Sequence, residues 1–152
     1  MRQSAGIIES RGVRAANNTA RDRSGDRALS MLVADDDESV VELLVSYATR
    51  IGFDVDTASD GLHAFLKIRR TKPHILVIDV NMPEMDGLSV CDHLRDADQA
   101  PANVIVITGS KHPHTLERCE RMGTYCARKG PNFWNDLRAA LTEIDPRVAF
   151  LP

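Results

Sequence analysis

From Leu29 onward, short apolar runs alternate with stretches whose apolar residues recur at helical spacing. The order is LSMLVA, SVVELLVSYATRIG, FDVDTA, LHAFLKIRR, HILVID, GLSVCDHLR, NVIVIT, TLERCERMG, TYCAR and NFWNDLRAALTEI. This predicts five strands and five helices. In the first helix Val40, Val41, Leu44, Ala48 and Ile51 lie at helical intervals, and Gly52 stands where a left-handed residue ends a helix. Pro113 suits the first turn of the fourth helix, and Asn132, just after Pro131, is placed to cap the fifth. HILVID and NVIVIT are apolar throughout rather than alternating, as strands covered on both faces of a parallel sheet should be. Strict alternation of strand and helix implies a doubly wound α/β fold.

The first 27 residues break this pattern. They are rich in Arg, Ser, Asn, Ala and Gly without a hydrophobic period, and are expected to form a disordered tail. A single domain at 28–147 and a short C-terminal tail at 148–152 complete the expected organisation. The tail carries six Arg against three acidic residues, so the formal net charge of -3 leaves about -6 on the remainder. No basic footprint for nucleic acid survives there. Cys91, Cys119 and Cys126 form neither a CxxC pair nor a zinc-type spacing, which fits a reducing cytoplasm. No segment approaches the roughly 20 apolar residues of a membrane span.

In an open parallel sheet, ligands bind beyond the carboxyl ends of the strands, and here those ends are polar. The first strand runs into Asp35, Asp36 and Asp37; the third ends in Asp79, followed by Val80 and Asn81; the fourth in Thr108, Gly109 and Ser110; the fifth in Arg128, Lys129 and Gly130. Asp35 to Asp37 alone would suit a solvated helix-capping turn. Asp79 on the adjacent strand changes the reading, because carboxylates near 4 Å apart repel by about 4 kcal/mol at an effective dielectric of about 20 and call for a cation. Oxygen ligands of this kind suit Mg²⁺. A carboxylate attacking a phosphoryl group needs its own charge and the incoming charge neutralised, which a metal ion and the Lys129 ammonium would do together. Thr108 adds a hydroxyl donor, and Gly109 has no side chain to obstruct a bulky phosphodonor.

With LVADDDES, LVIDVNMPEMDGL, VIVITGS and the Lys129 segment in view, residues 29 to 145 resemble the receiver domains of two-component response regulators. The resemblance implies a flavodoxin-like (βα)5 fold with strand order 2-1-3-4-5. It implies Asp79 as phosphoacceptor, Asp35 and Asp36 as the acidic pair for Mg²⁺, Asn81 as a metal ligand through its backbone carbonyl, Thr108 as the switch hydroxyl and Lys129 as the phosphate-pairing cation. Asp37 would lie just outside the metal's own ligands. Implied partners are a sensor histidine kinase or histidine phosphotransfer protein and a downstream effector, with a homodimer through the fourth and fifth helices also allowed. Such a chain assists its own phosphorylation and dephosphorylation without being an enzyme with turnover.

Two positions depart from the family. The lysine is usually followed by a cis proline, whereas Gly130 intervenes before Pro131, so the loop is expected to take another path. The switch aromatic usually lies three residues before the lysine, where Cys126 stands; Tyr125 is one residue early and should face the opposite side unless the strand bulges. These departures motivate a second reading, a phosphorylation-independent adaptor with the receiver fold. A third, an aspartyl-phosphate phosphatase, typically needs a second Asp two positions after the nucleophile, where Asn81 stands. Trp134 is either a core-edge residue or a partner anchor on the face of the fourth and fifth helices. His63, His74, His93, His112 and His114 lack metal-ligand spacing and receive no role.

Overall fold

The computed structural model describes residues 28–109 and 113–151; the expected tail at 1–27, together with Ser110, Lys111, His112 and Pro152, lies outside the described residues. The elements are β1 (Ser30–Ala34), α1 (Glu38–Arg50), β2 (Asp54–Ala58), α2 (Gly61–Thr71), β3 (Ile75–Asp79), α3 (Gly87–Asp96), β4 (Asn103–Thr108), α4 (Pro113–Met122), β5 (Tyr125–Arg128), α5 (Phe133–Ile144) and a 3₁₀ turn η1 (Pro146–Phe150). The five strands form one parallel sheet in the order β2-β1-β3-β4-β5. The flavodoxin-like order is therefore present.

The continuously apolar strands serve two cores. Met31, Val33, Ile75, Val77, Ile105, Ile107 and Ala127 face α1 and α5, while Leu32, Ala34, Leu76, Ile78 and Val106 face α2, α3 and α4. Because strand side chains alternate, both sets must be apolar when helices cover both faces. The edge strand β2 alternates instead, with Asp54 and Asp56 exposed. Charge on a sheet edge discourages pairing with another chain.

Local signals set several element ends as the sequence suggests. Asp37 caps α1, its carboxylate accepting from the Ser39 and Val40 amides. At the other end Gly52 adopts φ 109, and the Phe53 amide donates to the Ala48 carbonyl, closing the helix with a left-handed residue. Asn132 occupies the N-cap position of α5 but makes no side-chain cap bond, contrary to expectation. With φ -100 and ψ 12 its backbone is already nearly helical, and the preceding turn is closed by the Phe133 amide donating to the Gly130 carbonyl.

The end of the chain corrects the expected tail at 148–152. Val148 is buried in the same core as Leu141 and Ile144, and Leu151 packs against it. Asp145 caps η1 through the Arg147 amide, and Arg138 of α5 donates to the carbonyls of Val148 at 3.0 Å and Leu151 at 2.9 Å. Five residues without a hydrophobic period carried no signal that Val148 and Leu151 would be held this way. Arg138→Ala should cost about 1–3 kcal/mol of stability, the usual worth of hydrogen bonds from a charged donor. A urea titration of the variant beside wild type would read this as an earlier midpoint with little change in slope.

Candidate functional site

Three strand ends supply the site. Asp35 follows β1 directly, its amide donating to the Ala58 carbonyl at 3.1 Å, and its Oδ1 accepts from the Asp37 amide at 3.0 Å. That bond fixes the carboxylate and leaves Oδ2 buried without a hydrogen-bond partner. Asp79 closes β3, paired in register with Ile107, and its Oδ1 is likewise buried without a hydrogen-bond partner. Lys129 follows β5, its amide donating to the Thr108 carbonyl at 2.9 Å. Its Nζ stands 3.4 Å from Asp35 Oδ2 and 3.5 Å from Asp79 Oδ1, within ion-pairing range.

Asp36 joins Asp35 and Asp79, one ligand atom from each lying within 4.8 Å of the others. Asp36 is exposed while the other two are buried, so the cluster opens to solvent on one side. Two buried carboxylate oxygens that lack a hydrogen bond, beside a third carboxylate, form a hard, oxygen-only donor set, which fits a divalent cation such as Mg²⁺. Asp37 stays outside the cluster, engaged at the α1 cap. Asn81 lies two residues beyond Asp79 on the exposed part of the β3–α3 connection.

Burial raises the Asp79 carboxyl to about 6, and the neighbouring Asp35 charge adds to that, outweighing the pull of Lys129 in the opposite direction. Lys129 is pushed the other way from its own partial burial by the charges of Asp79 and Asp35, ending above its ordinary value. The two shifts are consistent: the site holds more negative charge than one ammonium balances.

Thr108 is fully buried at the end of β4, beside Arg128 in register. A Cβ built on Gly109 would meet Lys129 Cδ at 3.9 Å, ordinary contact, so this glycine leaves open space rather than relieving a clash. Gly87 differs. A Cβ there would drive into the Asp79 carbonyl, and the Gly87 amide donates to the Val80 carbonyl at 3.0 Å. Gly61 is similarly confined by the Met85 carbonyl, and its amide donates to the Pro83 carbonyl. These two glycines clamp the connection after Asp79 between α2 and α3, and reading strand ends alone overlooked both. The sequence signal was Asp-Gly at the start of two helices, Asp60-Gly61 and Asp86-Gly87, where each Asp caps and each Gly admits another backbone.

The departures at β5 resolve by register. Ile105 pairs with Tyr125, Val106 with Cys126, Ile107 with Ala127 and Thr108 with Arg128, without a bulge. Tyr125 packs with the α1/α5 core and Cys126 with the α2/α3/α4 core, so the aromatic does face away from the side that Cys126 occupies. Gly130 has φ 154, and no peptide bond among the described residues is cis, so the chain leaves Lys129 by a different route from the family's usual lysine–cis-proline turn. Trp134 is 40% exposed and sits against Tyr47 of α1 and Phe133, with ring centroids at 5.2 and 5.1 Å, on the α1 side of α5 rather than toward α4. His63, His74 and His93 are engaged by Asp60, Ser30 and the Ser89 carbonyl respectively.

The response regulator receiver domain family matches residues 31–127. The chain belongs to that family. Receiver domains of this kind are parts of two-component systems. Similar proteins include the alkaline phosphatase synthesis transcriptional regulatory protein PhoP of Bacillus subtilis, 49% identical over 65 residues that make up 43% of this chain and 27% of that protein. The probable transcriptional regulator ycf27 of Pyropia yezoensis is 37% identical over 92 residues, 60% of this chain and 35% of that protein. The chain thus spans about a third or less of the length of these curated relatives. Among solved structures, the CheX-CheY-BeF3-Mg complex from Borrelia burgdorferi matches with a TM-score of 0.71 at 24% identity, covering 80% of this chain and 92% of that one. The response regulator domain of Thermotoga maritima CheB gives 0.66 at 22%, covering 83% and 100%. Both support the receiver fold. Among the described residues no helix is long and apolar enough to cross a membrane.

Two outcomes test this geometry. An acid raised on folding binds its proton more tightly in the native state than in the unfolded one, so for Asp79 stability falls as pH rises from about 4 to about 6. Metal-free Asp79→Asn should therefore be more stable than wild type at pH 7, with the difference vanishing near pH 4, as thermal melts in chelator at the two pH values would show. Gly87→Ala should cost about 1–3 kcal/mol, as overpacking against an immobile group does. Chemical denaturation would measure it, and an unchanged midpoint would contradict the close approach to Asp79.

Proposed function

We propose that the receiver accepts a phosphoryl group on Asp79 and uses it to change which protein it binds. What carries this reading is Lys129 held between Asp35 and Asp79, ion-paired to one buried oxygen of each that has no hydrogen-bond partner. In the proposed transfer from a phosphohistidine donor, an Asp79 carboxylate oxygen attacks phosphorus in line with the departing imidazole nitrogen, and the P–N bond breaks as the P–O bond forms. Lys129 neutralises charge on the incoming phosphoryl oxygens and orients them. Thr108 donates its hydroxyl to one of them, and the open space at Gly109 admits the donor. Mg²⁺, with Asp35, Asp36, Asp79 and the Asn81 carbonyl as its proposed ligands, would supply the remaining positive charge.

Donor and reader follow from the same chemistry. A sensor histidine kinase or histidine phosphotransfer protein would supply the group, and a downstream effector, or a second copy through α4 and α5, would read the result. A charge of about -1.5 to -2 added beside Thr108 biases the ends of β4 and β5, where such a face begins. In this reading the domain acts in the cytoplasm and has no turnover beyond its own phosphorylation and hydrolysis.

A second reading, a phosphorylation-independent adaptor, draws support from Cys126 at the switch position and from the altered path after Lys129. One experiment separates the two. Purified protein incubated with acetyl phosphate and Mg²⁺ should gain one phosphoryl group by intact mass, and lose that gain with chelator or in Asp79→Ala. Lys129→Ala should slow incorporation by about 10²-fold, the usual cost of one preorganised charge donor. No incorporation, even with a competent phosphohistidine donor supplied, would leave the adaptor.

A further inference from the structure

Large apolar side chains reach the described surface at Leu43, Leu62, Leu66, Trp134 and Phe150. Of these only Leu62 and Leu66 share an element, standing four residues apart on α2 at 44% and 49% exposure. Phe65, partly buried, lies between them, and Arg69 lays its guanidinium 5.5 Å from the centre of the Phe65 ring. Residues 62, 65, 66 and 69 follow the i, i+3, i+4, i+7 spacing of a single helical stripe, the pattern by which two helices interlock. The inward face of α2 is already filled by Ala64 and Ile68, both buried in the core. The stripe is therefore a second apolar face, turned to solvent.

Charge along α2 runs from acidic to basic. The capping Asp60 stands at its amino end, where the 83–85 segment packs on Gly61 and exposes Glu84. Arg69, Arg70 and Lys72 stand exposed at its carboxyl end. Asp60 is engaged by His63, and Lys67 by Asp56, whereas Glu84 and Arg69 have no ion pair among the described residues. A helix charged in this way repels a parallel copy of itself and complements an antiparallel one.

We propose that α2 is a self-association face, on which a second copy of this chain docks antiparallel about a two-fold axis between Phe65 and Leu66. That axis sets Leu62 of each copy opposite Arg69 of the other, and so brings Arg69 beside the segment that carries Glu84. The contact is isologous, each copy giving the same patch, and it closes at two copies. It is separate from the α4 and α5 face, because α2 packs on β1 and β2 whereas α4 packs on β5. It also needs no phosphoryl group. One helix with a flanking segment buries less than the roughly 1,200–2,000 Å² of a stable interface, so the association is weak and reversible. Since the Gly61 amide donates to the Pro83 carbonyl at 3.2 Å, the paired face adjoins the connection that follows Asp79.

Sedimentation velocity of the full, unphosphorylated chain tests this. Between about 5 µM and about 500 µM, the range of a weak complex, the protein should pass from monomer toward dimer without larger species. Leu66→Glu should weaken association by at least about tenfold, as a charge set into the centre of a contact does. Glu84→Arg and Arg69→Glu should each weaken it, and the two reversals in one chain should restore it. All three positions are exposed, and restored association in the double variant itself requires a folded domain. A monomer throughout that range, a dimer indifferent to Leu66→Glu, or charge reversals whose losses add rather than cancel would each overturn the proposal.

Discussion

The Lys129 ammonium, held 3.4 Å from Asp35 and 3.5 Å from Asp79, is the contact on which the carboxyl end of this sheet depends. Its partners come from β1 and β3, while Lys129 follows β5, so the side chain must reach past the end of β4. That reach passes Gly109, where lysine Cδ lies 3.9 Å from the nearest position a side chain could take. Two carboxylates taken out of water cost several kcal/mol each unless compensated, and one cation shared between them compensates in part. The raised Asp79 carboxyl reflects the uncompensated remainder. Burying two aspartates side by side thus costs the domain some resting stability.

Rigid surroundings make that arrangement hold. Both faces of β1, β3 and β4 are buried under helices, so the strands carrying the site cannot shift without disturbing two cores. The connection after Asp79 is held from both sides, with Gly61 admitting the Met85 backbone and Gly87 admitting the Asp79 carbonyl. Glu84, between them, takes φ 73, a conformation few side chains adopt without cause, and the Met85 amide returns to the Pro83 carbonyl at 2.8 Å. The conspicuous MPEMDG stretch is therefore a clamp on the end of β3, and its glycine has a packing reason that is independent of any ligand.

What could be read from residues alone follows the range of the interaction involved. Strand identity, the doubly wound class and Gly52 as a helix stop are consequences of neighbours a few positions apart, and the structure has them. Asp37 illustrates a partial reading: one of three consecutive aspartates was bound to cap α1, but which one depended on where the helix axis begins. Asn132 had the right position and the wrong interaction, because the turn through Gly130 and Pro131 had already set its backbone. Val148 and Leu151 join the core through contacts with α5 that no local period announces. Strand order came from the resemblance rather than from periodicity, since apolar runs specify burial and not neighbours.

β5 shows how tightly register and chemistry are joined. A slip of one residue, bringing Tyr125 to the face where Cys126 now lies, would place Cys126 in the fully buried position of Ala127 and Arg128 where Lys129 starts. Each residue of slip moves the strand by about 3.3 Å, enough to draw the ammonium off both carboxylates. The core at Ala127 and the ion pairs of Lys129 thus oppose the slip together, and the aromatic cannot be recovered on that side while the site stays assembled. On the face where Val106 leads toward Thr108, the cross-strand neighbour is a cysteine, and behind it in α4 stands another.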